Sequence, residues 1–107
     1  MMDPKLKALW IKDLLSGKFR QGRMYLQHEG RNCCLGVLGC RISKKTGPEM
    51  QRAVEGRNKW GDFTGLLNGP TAKKAGLTLG TMKKLVNLND ERRFSFKKIA
   101  EWIKEEL

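Results

Sequence analysis

The sequence predicts a small α+β fold, a β-hairpin packed against four to five short helices in one domain over residues 1–107. Three observations predict it. Both ends carry apolar residues at helical spacing behind a capping residue. The stretch from Met24 to Cys34 has strand character interrupted at Glu29-Gly30. With 107 residues, 39% of them apolar, the chain can build one modest core but not two.

The elements follow in order. Asp3 caps a first helix, Pro4 suits its first turn, and Gly17 follows its last apolar pair, Leu14 and Leu15. Leu6, Leu9, Trp10 and Leu14 form its stripe, with Ile11 and Leu15 to the side. That arc is wider than a surface helix needs, so the helix is either wrapped by the domain or shared with a second copy in a homo-oligomer. Gly17 to Arg23 reads as a flexible basic loop. Met24 to His28 and Arg31 to Cys34 then pair as two short strands, because Gly30 supplies the backbone angle of a tight turn. From Leu35 the spacing turns helical through Leu38 and Ile42, and Lys44 to Pro48 ends that helix; Gly36 and Gly39 let another element approach it closely.

Residues 47–70 hold five glycines and scattered charge, and read as a long loop or short irregular pieces. Pro70 to Ala75 fits a short helix closed by Gly76, and Thr78 caps another that carries Met82, Leu85, Val86 and Leu88. Asn89 to Arg93 is a turn. Ser95 caps the last helix, with Phe94 and Ile99 as a hydrophobic staple and Phe96, Ile99, Ala100, Ile103 and Leu107 on one face. The terminal helices should meet and bury Trp10, Leu14, Ile99 and Ile103 together.

Charge suggests what the fold is for. Lys and Arg number 22 against 11 Asp and Glu, and residues 18–84 alone hold fourteen of the bases and four of the acids. Concentrated like charge opposes folding and is best understood if an anion neutralises it. No apolar run nears the roughly 20 residues that cross a bilayer, and no secretory signal opens the chain, so no membrane role and a cytosolic location are expected. Three cysteines with Cys33 and Cys34 adjacent make no disulfide framework, which fits a reducing compartment.

Catalytic chemistry has few candidates. His28 is the sole histidine, and a cysteine nucleophile would be Cys33, Cys34 or Cys40, all within a stretch that reads as core. Zinc would need converging ligand pairs, and neighbours on a strand diverge. No catalytic residue, metal ligand or cofactor is therefore assigned. The anion-binding candidates are Lys18, Arg20, Arg23, Arg31, Lys73 and Lys83. Phe19, Tyr25 and Trp60 could stack on bases, though each also suits a core.

Several short motifs carry a resemblance. Trp10 to Gly17, Gln21-Gly22, Cys33-Cys34-Leu35-Gly36-Val37-Leu38, Leu88-Asn89-Asp90 and Ser95 to Ile103 are similar to those of a family of small uncharacterised proteins of bacteriophage and prophage genomes. The resemblance leaves out residues 47–65, and Gly39-Cys40 stands where many relatives have Cys-Asp. It implies phage origin and a shared fold, and brings no established site residues. The leading expectation is a non-enzymatic phage accessory protein, acting in counter-defence in the host cytoplasm, that binds a signalling nucleotide or nucleic acid. An inhibitor docking on an acidic host protein such as a nuclease complex is the alternative, and a small hydrolase the third.

Overall fold

The computed structural model describes residues 2–107. Six helices, α1 (Pro4–Leu15), α2 (Cys34–Ser43), α3 (Gly47–Val54), α4 (Gly69–Ala75), α5 (Leu79–Val86) and α6 (Phe96–Glu106), surround two small sheets. The first sheet holds β1 (Arg20–Gln21), β2 (Gln27–His28) and β3 (Arg31–Asn32) in the order β1-β3-β2; the second is the antiparallel pair β4 (Glu55–Arg57) and β5 (Phe63–Leu67). The fold is α+β as expected, with six helices rather than four to five, and a second hairpin.

Caps set the helix ends as the sequence reads. Asp3 accepts the Leu6 N–H at 3.3 Å, the Thr78 hydroxyl accepts that of Thr81 at 3.1 Å, and the Ser95 hydroxyl that of Lys98 at 3.3 Å. Gly76 ends α4 in the left-handed region, φ +74°. The terminal helices pack together, and Trp10, Leu14, Ile99 and Ile103 all lie in one core. Leu9 and Leu15 stay exposed, so the domain does not wrap the full apolar arc of α1.

The predicted hairpin forms between β2 and β3, turning through Glu29 (φ +50°) and Gly30 (φ +78°), the two left-handed residues of a tight hairpin turn. It is shorter than expected: Cys33 and Cys34 are not strand residues, because Cys33 is the N-cap of α2 and Cys34 its first residue. Close approach explains both glycines of α2. A Cβ on Gly36 would collide with the Leu26 carbonyl, and one on Gly39 would stand 2.8 Å from Val54 and 2.9 Å from Met50 of α3.

Residues 47–70 are ordered structure, not a long loop. Met50 and Val54, one turn apart, bury α3 against α2 behind Pro48 in its first turn, and β4 pairs with β5. Asn89 to Arg93 also departs from a simple turn. Asn87–Glu91 continues α5 as one π-helical turn, closed by the Arg92 N–H on the Asn87 carbonyl at 2.9 Å.

Candidate functional site

The three-stranded sheet sorts its six residues into two rows. Register places Arg20 beside Arg31 and Arg31 beside His28, and all three are exposed. The same register lines up Gln21, Asn32 and Gln27 on the other face, half-buried or buried. Adjacent strands stand about 4.8 Å apart, so the two arginines are cross-strand neighbours of like charge, an arrangement that destabilises a free sheet.

Hydrogen bonds rather than apolar contact hold the inner row. Gln21 donates to Asn89 Oδ1 at 2.9 Å and to the Phe94 carbonyl at 2.8 Å, while Gln27 donates to Gln51 at 2.9 Å. Asn32 points its amide at the Cys40 sulfur, 3.8 Å away. Asn89, fully buried in the π-helical turn, is the node: its Oδ1 also accepts the Cys34 N–H at 3.3 Å, and its Nδ2 donates to the Gly22 carbonyl and to Asp90, each at 2.8 Å. The Cys34 carbonyl in turn accepts the Trp10 indole N–H at 2.9 Å. The Gln-Gly, Cys-Cys and Leu-Asn-Asp motifs thus converge on one polar joint.

A second anchor is Glu55. The residue is 3% exposed, and its carboxylate accepts from the Leu26 N–H at 3.3 Å, Gln51 at 2.9 Å and the Gly65 N–H at 2.8 Å. Burial raises its carboxyl above its ordinary value, and the three donors pull the other way. The carboxylate ties β4 and β5 to the chain entering β2.

The predicted loop cations separate. Arg20 belongs to the exposed row. Lys18 and Phe19 line a groove of about 270 Å³ with Arg41, Lys44 and Lys45. Arg23 lines another cleft, with Met24, Asp90, Glu91 and Arg93. The loop is not a free phosphate cradle either, since β1 pairs with β3 and the Gly22 N–H is already donated to Asn32 at 2.7 Å. Arg31 joins Arg20 through strand pairing. Lys73 and Lys83 lie exposed in the last turns of α4 and α5, where cations complement the helix dipole, and it is Lys74 that lines a groove with Lys5, Arg41 and Lys44.

Among the aromatics, Phe19 packs partly against the core, Tyr25 is 41% exposed, and Trp60 is 74% exposed. In the sequence Lys44 and Lys45 mark only a helix stop, and their doublet beside a helix end is the one signal of a cationic groove. Among the described residues, Arg41 is the only Lys or Arg that pairs with a carboxylate, its guanidinium meeting Asp13 at 2.7 Å and 2.9 Å.

The three thiols are buried. Burial pushes Cys33 up to about 12 and Cys34 well above its ordinary value; burial and then Asp13 raise Cys40. His28 stands on the outer sheet face, away from their core positions. No three of His, Cys, Asp and Glu gather among the described residues as a metal ion would require, and no helix there is long and apolar enough to cross a membrane.

Comparison with known proteins adds one relationship. No curated protein and no solved structure matches the chain significantly. A family model described as a domain of unknown function, DUF8296, matches residues 2–60, from α1 to the turn between β4 and β5. The match takes in Gln21, Gly22 and Cys34 of the polar joint and covers more than half of the sequence, and on that extent the chain belongs to the DUF8296 family.

Proposed function

We propose that this protein binds nucleic acid, without catalysis, across the outer face of its three-stranded sheet. The observation that carries the reading is the adjacency of Arg20 and Arg31 in a chain where, among the described residues, Arg41 alone of the Lys and Arg side chains meets a carboxylate. Such uncompensated charge calls for phosphates, and an open row offers contacts along a backbone rather than an enclosure around one small molecule. Buried thiols held protonated, with His28 outside, support binding over hydrolysis. The motif resemblance supports phage origin, and counter-defence in the host cytoplasm is the setting we propose for the binding.

A signalling nucleotide would use a cleft rather than the open row. The groove beside Lys18, Lys44 and Lys45, about 270 Å³, falls below the roughly 300–1,000 Å³ of small-molecule sites. The cleft of Arg23 and Arg93, about 510 Å³, carries Asp90 and Glu91, and the groove of Lys5, Arg41, Lys44 and Lys74, about 360 Å³, carries Asp3, so carboxylates oppose a phosphate in both. Docking on an acidic host protein would use the same cations and is the outcome if nucleic acid fails.

Fluorescence anisotropy with a labelled oligonucleotide over a salt series tests the reading. Log affinity should fall linearly with log salt, by about 0.7 per phosphate neutralised on a single strand. Arg20→Glu with Arg31→Glu should weaken binding and flatten the slope by roughly one to two. A wild-type protein that binds no oligonucleotide at low salt, or a double variant with an unchanged slope, overturns it.

A further inference from the structure

We infer that the hairpin of β4 and β5 is a base-stacking finger with Trp60 at its tip, and that the nucleic acid it takes is single-stranded. The inference rests on the nucleic-acid reading above and narrows its ligand. Trp60 is 74% exposed, an unusual setting for the largest apolar side chain. The turn that carries it is fixed. Asn58 Oδ1 accepts the N–H of Trp60 at 2.9 Å and of Asp62 at 3.0 Å, the Asn58 N–H reaches the Asp62 carbonyl at 2.9 Å, and the Gly61 N–H reaches the Asn58 carbonyl at 3.0 Å. Gly61 takes φ +86°, which lets the loop close over Asn58. The indole is therefore presented on a rigid turn, so little ordering cost remains when a flat partner meets it.

The charges around the finger favour a nucleic acid over an apolar protein groove. The Lys59 ammonium stands 4.7 Å from the Trp60 ring centroid, and the Arg57 guanidinium 4.4 Å from that of Phe63. Each aromatic thus comes with a cation able to meet the phosphate of the base it stacks. The base of the hairpin leads to the arginine row: Glu55 holds the Leu26 N–H, and Gly65 lies so close under the Met24 carbonyl that a Cβ there would be 2.5 Å from it. Between these two anchored residues, Tyr25 is exposed with its ring 5.6 Å from that of His28, which sits beside Arg31. Two exposed aromatics, Trp60 and Tyr25, thus mark the finger and the chain entering the sheet, with Lys59 beside the first and Arg31 next to the second's neighbour His28. Stacking needs bases free of a duplex, and that selects a single strand.

The test compares three labelled probes of equal length: a thymidine strand, the same backbone without bases, and a duplex. Wild type should bind the thymidine strand best. Trp60→Ala should weaken that binding about five- to 150-fold and leave the abasic strand unchanged, with Trp60→Phe retaining most of the affinity. Arg20→Glu with Arg31→Glu should weaken both strands. Circular dichroism melting of each variant checks folding, and since Trp60 faces solvent its replacements should melt with the wild type. The inference is overturned if Trp60→Ala binds the thymidine strand like wild type, if it loses equally on both strands, or if wild type prefers the duplex. In each of those cases the nucleic-acid reading survives. Wild type that binds none of the three probes ends both.

Discussion

Asn89 and Arg20 lie on opposite sides of the same small sheet and treat polar groups in opposite ways. Both ends of the Asn89 amide have partners, whereas the exposed Arg20 and Arg31 pair with no carboxylate; Arg31 reaches only the Gln21 carbonyl, at 3.5 Å, and Glu29 in the turn stands 3.8 Å from His28. The first arrangement specifies structure. A buried amide that fails to find its partners costs about 1–3 kcal/mol per lost group, so the joint penalises any other docking of the sheet on α2 and the π-helical turn. The second leaves charge available. Like charges side by side are tolerated at a cost, and the polar joint behind them offsets it.

The contrast can be broken most sharply at Asn89. Asn89→Ala strips partners from the Cys34 N–H and the Gly22 carbonyl and should cost about 3 kcal/mol or more, read as a lowered midpoint in urea denaturation. A loss under about 1 kcal/mol would mean that water replaces the amide and the joint is not the organiser described above.

Glu55→Gln should come next, at about 1–3 kcal/mol, because one carboxylate oxygen becomes an N–H₂ group facing a donor. Its pH dependence has a definite sign. With the native carboxyl raised above its unfolded value, the folded state holds more protons between the two, so this group's contribution to stability is greatest below the unfolded value, about 4.3, and declines as pH rises through the native one. The stability difference between wild type and Glu55→Gln should therefore shrink as pH rises across that window and level off above it. A difference independent of pH would show that the carboxyl titrates alike in both states.

Smallest of all should be the outer row. Replacing Arg20 and Arg31 together by Gln should leave the melting temperature unchanged or raise it slightly at low salt, within about 0.5 kcal/mol, because it removes repulsion and no carboxylate pair. A marked loss of stability would place these arginines with the structural residues and weaken the binding proposal.

The same contrast explains what could be read in advance. Helices announced themselves locally: Asp3, Thr78 and Ser95 cap within their own turn, and apolar spacing marked α1 and α6. Residues 47–70 hid their order because α3 buries just two apolar residues, Met50 and Val54, and because Gly65 interrupts β5 in the middle. The polar joint was visible only as motifs, since Gln21 and Asn89 are 68 positions apart and nothing local pairs them. Among the site candidates, composition points to Arg20 and Arg31, but their adjacency depends on a parallel pairing of two-residue strands too short to show alternation. Trp60 is visible in the sequence as an aromatic; the turn that holds it out depends on Asn58, whose role only the folded loop reveals.

The three tryptophans occupy graded surroundings, and this gives the molecule built-in optical reporters. Trp10 is sealed from solvent with its indole N–H on a carbonyl, Trp102 is partly covered on α6, and Trp60 stands in water. Emission from Trp10 should be blue-shifted and shielded from acrylamide, and that from Trp60 red-shifted and readily quenched. A stacking ligand should darken the red edge of the spectrum and leave the blue edge in place, while unfolding should move the blue edge, so one emission scan would separate occupancy from integrity without any attached dye.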